Sequence, residues 1–344
     1  LHDRSQALEG EVSNLTEARH TRRIVRWGIQ WSLGIVVAVF LYFAVRHSLD
    51  QIRSTPEVLN WNRVRWLPLT LGFLFSAAAL FPAGIAWLQT LRDFRLSVPI
   101  QHGTYAYFLG HLGKYVPGKA MAILLRVGYL HRRGVLVRPA ILSVFIETMT
   151  SLTTGAILGA LLLQGMSAPS WLKGCALACI PLAAATLIPD TFRWLVARIS
   201  RSRLGAMPDF VAQAIRWKLM LRCAAWSLLG WLLHGTAGWL VLMAIDPSPE
   251  LLSWSAWSTC VASMCLAALA GFISMIPGGA GVRELVATWG IATLVSTPVA
   301  LVASVATRLA VISAELIILG CTALWVHWNP TDASPKDEVH EPGI

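Results

Sequence analysis

The chain has 344 residues, 56% of them hydrophobic and 13% charged, with a mean hydropathy of +0.60 and a formal net charge of +10. Soluble domains carry roughly a quarter charged residues, so this chain has too little polar surface to cover a globule in water. A soluble domain is excluded, and a polytopic integral membrane protein is what remains.

Residues 28–45, 66–91, 223–245 and 251–282 contain no Asp, Glu, Lys or Arg. A helix needs about 20 apolar residues to cross roughly 30 Å of hydrocarbon, and these runs approach or exceed that length. Open sheet edges are untenable in lipid, and the short alternating segments of a membrane β-barrel are absent. The expected fold is therefore all-α, a polytopic transmembrane helical bundle of about seven spans plus two broken, re-entrant segments.

In chain order, Leu1 stands where a Met would open a gene product, which fits a trimmed chain or part of a longer one. Residues 1–26 are polar, with Arg19, Arg22, Arg23 and Arg26 leading into the first span at 28–45. They lack the apolar core and small-residue cleavage site of a signal peptide, so that span reads as a retained anchor with its N-terminus inside. The Asn14-Leu15-Thr16 sequon near this terminus carries little weight. The next loop should be outside, yet it holds Arg46, Arg53, Arg63 and Arg65, against the positive-inside trend. The second span, 66–91, contains Pro68 and Pro82.

A broken segment covers 105–130, and a third span, 139–166, carries a single charge, Glu147. A short fourth span runs from about 174 to 189. Residues 191–221 alternate apolar residues with arginines, as expected of a helix lying in the cytoplasmic interface. The fifth and sixth spans are 223–245 and 251–275, joined by a loop with Asp246 and Glu250 but no Lys or Arg. A second broken segment follows at 271–295. The last span, 299–326, is interrupted by Arg308 and Glu315, and residues 328–344 form a Pro- and acid-rich flexible tail.

The positive charge is concentrated in two places. Residues 101–146 hold Lys114, Lys119, Arg126, Arg132, Arg133 and Arg138 with no carboxylate, and residues 190–222 hold seven Lys or Arg against Asp190 and Asp209. Basic loops beside spans are retained on the cytoplasmic side and attract anionic lipid, which accounts for the net charge without a nucleic acid partner. The six cysteines lie in or beside apolar runs as small buried hydrophobes, and no His or further Cys completes a metal set around Cys175 and Cys179. Neither a metal, a disulfide nor another cofactor is expected.

The two broken segments are the most informative. Pro117-Gly118-Lys119 interrupts the first and Pro277-Gly278-Gly279-Ala280-Gly281-Val282-Arg283-Glu284 the second. Proline lacks an N–H and glycine lacks a Cβ, so one helix stops there and another can begin. Pro117 precedes Glu147 by 30 residues and Pro277 precedes Arg308 by 31. Two pseudo-repeats follow, half one at about 66–189 and half two at about 223–327. Short segments interrupted by Pro and Gly at matching places in two halves point to a transport site. The freed N–H groups of each second half-helix suit an anionic group such as phosphate. On this reading Lys114, Pro117, Gly118, Lys119, Pro277, Gly278, Gly279, Gly281, Arg283 and Glu284 bind substrate. A charge in the bilayer costs at least ~2.5–3.5 kcal/mol, so Glu147, Arg308 and Glu315 need partners, and Glu147 with Arg308 is the obvious pair. The alternative is that the glycines only permit tight packing, the prolines only kink spans and the ion pair is structural. His111 and His234 could relay protons or simply be hydrogen-bonded interior groups.

At Gly113-Lys114-Tyr115-Val116-Pro117-Gly118-Lys119 and at 277–284 the sequence resembles the flippase-like family typified by the lysylphosphatidylglycerol synthase transmembrane region. The resemblance covers roughly 25–327 and assigns 27–327 to one flippase-like domain. It matches Glu147 and Arg308 to the family's acidic and basic residues after each motif. The family places an Arg beside that Glu, where this chain has Thr148. It implies movement of a phospholipid between leaflets, and the tail after Trp328 is too short for the family's soluble transferase domain. The expectation is a translocase or binding protein for a lipid with an anionic or phosphate headgroup, in the cell membrane (for a bacterium, the inner membrane). Two rivals remain: a scaffold or accessory subunit for a lipid or glycan biosynthetic enzyme, recruiting it through 191–221, and an intramembrane lipid-linked transferase with Glu284 or His111 as acid/base. No nucleotide-binding motif is present, and an enzyme is not expected.

Overall fold

Hydrocarbon offers no partner to a backbone N–H or C=O, so a chain this apolar satisfies its backbone within helices. The computed structural model describes residues 64–116, 120–203 and 209–329, together with Val39, Tyr42, Phe43, Arg46 and Asp50. Among these residues the fold is all-helical, with no strand. The expected segment 1–26 with its sequon, the first span at 28–45, most of the loop after it, Pro117, Gly118, Lys119 and the tail beyond Asn329 lie outside the described residues.

The helices are α1 (Trp66–Ala78), α2 (Phe81–Asp93), α3 (Ile100–Leu112), α4 (Ala120–His131), α5 (Val137–Leu163), α6 (Ser170–Ala185), α7 (Pro189–Arg203), α8 (Asp209–Ala214), α9 (Trp217–Ile245), α10 (Trp254–Ile273), α11 (Val282–Ile291) and α12 (Thr297–Trp328). Tight 3-10 turns lie at Gly113–Tyr115, Pro249–Leu252 and Pro277–Gly279. Among the described residues, five stretches are long and apolar enough to cross a membrane: Trp66–Asp93, which is α1 with α2, then α5, α9, α10 and α12. The pair α6–α7 makes a sixth if it is counted as one bent span. The chain is a multi-pass membrane protein. At 1.5 Å per residue α9 and α12 run about 43 and 48 Å, so they tilt or project beyond a hydrocarbon layer of roughly 30 Å.

Helix α9 is the hub, packing against α1, α2, α5, α10 and α12. Lipid gives no hydrophobic drive for helices to associate, so close backbone approach has to do that work. Gly72 provides it between α1 and α9, where a Cβ would stand 2.8 Å from Val241 Cγ2. Gly235 provides it between α9 and α10, where a Cβ would stand 2.5 Å from the Val261 Cα. Three cysteines, Cys223, Cys260 and Cys265, are buried in these contacts, while Cys175, Cys179 and Cys321 are exposed on outer faces rather than buried as expected.

The bend between α6 and α7 is 80°. The corner is tied to α5 by the Thr153 and Thr186 hydroxyls, 2.8 Å apart. Phe192 and Val196 of α7 enter the main apolar cluster, while Trp194 and Arg198 face outward. The single interfacial helix expected over 191–221 is thus divided. α7 ends at Arg203, α8 is six residues long, Arg216 is extended (φ −127, ψ 169) and α9 begins at Trp217. Gly205 and Pro208, both poor helix residues, stand in the sequence between α7 and α8.

The two halves are built alike. Helix α3, a turn, α4 and α5 in half one correspond to α10, a turn, α11 and α12 in half two. They interlock through α5 against α10 and α3 against α12, and the turns at the two breaks touch each other.

Candidate functional site

The second break is a run of backbone conformations that side chains resist. Gly278, Gly279 and Gly281 have φ of +61, +67 and +80, and Met275 just before them has φ +58. Left-handed positions this dense require glycine, and a non-glycine residue there is held only by its surroundings. The turn frees α11 to start at Val282. In half one Val116 is extended (φ −94, ψ 141) as the chain leaves the Gly113–Tyr115 turn.

Two buried ion pairs follow the breaks, one in each half. Arg126 on α4 donates from Nη1 to Glu147 Oε2 on α5 at 2.8 Å. Arg308 on α12 pairs with Glu284 on α11 and donates from Nη2 to the Gly278 carbonyl at 3.4 Å. The pattern is alike with the signs exchanged: the half-helix carries the base in half one and the acid in half two. The expected pairing of Glu147 with Arg308 is therefore corrected. Each charge is neutralised inside its own half, because the half-helix after the break delivers a partner directly against the next span. Thr148, beside Glu147 in sequence, donates to Glu147 Oε2 at 3.4 Å, and Arg126 supplies the cation.

A third cluster joins the halves. Glu315 on α12 takes Lys114, accepts from the Tyr115 hydroxyl at 2.9 Å, and has His111 Nδ1 2.9 Å from Oε1. All three partners lie at the end of α3 or in the turn after it. Arg308, Val311, Ile312 and Glu315 make one stripe of α12, at the i, i+3, i+4, i+7 spacing of a single helical face.

Arg283 differs from the other cations. Among the described residues no carboxylate pairs with it; its buried Nε has no hydrogen-bond partner, which is also true of Arg126 Nε. Its side chain lies in a slot made by two glycines: a Cβ on Gly271 would stand 2.5 Å from its Cγ, and one on Gly279 would stand 2.9 Å from its Nε. Arg126 is seated the same way, since a Cβ on Gly110 would stand 2.4 Å from its Nε. Gly110 and Gly271 occupy matching places on α3 and α10, ahead of the two breaks. Above Arg126 the Tyr107 ring stacks on the guanidinium at 4.3 Å.

These groups line two adjoining cavities. One, of about 300 Å³, lies among α1–α5 and α9–α12 and is faced by Arg126, Glu147, Trp231, His234, Arg283 and Glu315. The other, of about 310 Å³, shares Lys114, Arg126, Thr148, Phe272 and Arg283 with it and is otherwise largely apolar, with Phe145, Met149, Met275 and Ile276 in its wall. Two adjoining cavities with largely apolar walls, sharing Lys114, Arg126 and an Arg283 that no carboxylate pairs with among the described residues, can hold a molecule with an anionic head and a hydrocarbon part.

Of the residues singled out in the sequence, Lys114, Pro277, Gly278, Gly279, Arg283 and Glu284 come together here. Gly281 shapes the turn and has open space where its Cβ would be. Glu284, in the first turn of α11, is engaged by Arg308, with Oε2 buried and unpartnered. His111 is held by Glu315, and His234 lines the central cavity. Sequence reasoning missed the roles of Arg126, Tyr115 and Trp231. Arg126 carried a readable signal, as the lone charge in the apolar run 120–130.

A model of the family described as the lysylphosphatidylglycerol synthase TM region matches residues 29–320. No curated protein matches the chain.

Proposed function

This chain belongs to the family of the lysylphosphatidylglycerol synthase TM region, and from that premise and the site's geometry we propose that it binds a phosphate-bearing, polar-headed lipid and moves it between leaflets of the inner membrane. The single observation that supports this most is Arg283, a buried guanidinium with no paired carboxylate among the described residues, set in the wall shared by the two cavities. Burying a charge costs free energy unless a partner compensates it, and a lipid phosphate is a partner that the membrane supplies. The headgroup occupies the central cavity and the hydrocarbon part lies along Phe145, Met149 and Met275. The Glu315 cluster, which spans the two halves, yields as the halves rock about the fixed headgroup. No chemistry is assigned to the lipid: the two acid/base candidates of a transferase, His111 and Glu284, are both committed to ion-paired clusters.

The test is lipid flipping in proteoliposomes. The native protein should transfer a fluorescent phospholipid between leaflets, and Arg283→Gln should abolish transfer while eluting as the same monodisperse species in detergent. Transfer retained in that variant would remove Arg283 from the site.

A further inference from the structure

Resting on the lipid-binding reading, we infer that the site selects lipids whose headgroup carries a net negative charge, a phosphodiester monoanion, over zwitterionic and cationic ones. The argument is the charge balance of the cavity walls. The charged side chains lining the central and neighbouring cavities are Lys114, Arg126, Arg283 and Arg308 against Glu147, Glu284 and Glu315. Three pairs cancel: Lys114 with Glu315, Arg126 with Glu147, and Arg308 with Glu284. Arg283 is left over among the described residues. His111 and His234 contribute no negative charge in either protonation state.

The surplus cation is built in rather than adventitious. Gly271 and Gly279, from two different elements, leave the room that the Arg283 side chain fills, which a Cβ on either would take, and the guanidinium lies at the cavity wall. In this low-dielectric setting a net −1 headgroup neutralises the surplus. A net-neutral headgroup leaves it standing, and a net-positive one adds to it. The buried Glu284 Oε2 lacks a donor. A hydroxyl or an amine could supply one, so that atom does not discriminate between headgroups, and the charge balance does. The apolar cavity beside Arg283 is what makes the ligand a lipid rather than a free phosphate ester.

Native mass spectrometry of the full chain in detergent tests this. The titrants are phosphatidylglycerol, phosphatidylethanolamine and lysylphosphatidylglycerol of identical acyl chains, with glycerophosphoglycerol as the headgroup without hydrocarbon. Phosphatidylglycerol should bind at least about tenfold more tightly than the zwitterionic lipid, and the cationic lipid most weakly. Arg283→Gln should bring the phosphatidylglycerol-to-phosphatidylethanolamine ratio near unity, while Arg283→Lys should keep the preference. A folded Lys variant with native selectivity rules out a merely structural role. Tightest binding of lysylphosphatidylglycerol, or a preference unchanged in Arg283→Gln, would overturn the charge-class inference and leave lipid binding standing. Equal binding of glycerophosphoglycerol would overturn the hydrocarbon part. Failure to bind any of the lipids would overturn the proposed function itself.

Discussion

At the scale of single residues, the site rests on charges made affordable by glycine. Arg126 and Glu147 are 7% and 9% exposed at their side chains, so removing one leaves the other buried without its partner. Glu147→Gln should destabilise the protein by about 3–5 kcal/mol, the cost of an uncompensated buried charge. The double replacement Arg126→Met with Glu147→Leu should recover most of that, because an apolar pair of similar volume needs no compensation. Thermal unfolding of the native protein and the two variants in one detergent checks this, and a double variant no better than the single would contradict it. A second expectation concerns Gly271. Its Cβ would collide with Arg283 at 2.5 Å, so Gly271→Val should displace the guanidinium and weaken anionic-lipid binding. Neighbouring Ala270 does not form that slot, and Ala270→Val should leave selectivity as it was; lipid titration of both variants separates the two cases.

At the scale of elements, the sequence was most legible where a physical constraint acts on consecutive residues. The charge-free runs marked α1–α2, α9 and α10 because hydrocarbon tolerates little else. Pro277 with its three glycines marked the second break for the same local reason. Pairings were less legible, because they are decided by how helices meet. Arg126 and Glu147 are 21 residues apart and Tyr115 and Glu315 are 200 apart, and nothing in the spacing ranks those partners above others. The expected Glu147–Arg308 pair was drawn across the halves. The fold closes each pair within its own half and exchanges the signs, which a search for like residues at like positions overlooks. The helix bounds within 191–221 were not legible: α7 turns 80° from α6, and the basic stretch does not continue as one helix to the next span. If α7 lies at the membrane surface, a spin label at position 194 should report headgroup depth, and one at the exposed Leu182 of α6 should report hydrocarbon. Equal depths for both labels would contradict the surface placement.

At the scale of the whole molecule, Glu315 is the clasp between the halves. It sits on the last span of half two and is held by three residues of half one, all within His111 to Tyr115. Cutting it loose should separate the halves more than it destabilises either. Glu315→Gln should therefore increase the labelling rate of a cysteine placed at Ser151, in the central cavity wall, by a membrane-impermeant thiol reagent. An unchanged rate would show that the cluster does not gate the cavity.

The most direct measurement of the central claim, a lipid headgroup held at Arg283, is the composition of lipid carried through purification in gentle detergent. The native protein should carry one class of anionic phospholipid enriched above the bulk membrane, and Arg283→Gln should lose that enrichment while retaining the bulk lipids that coat any membrane protein. Bulk composition in both samples would contradict the account.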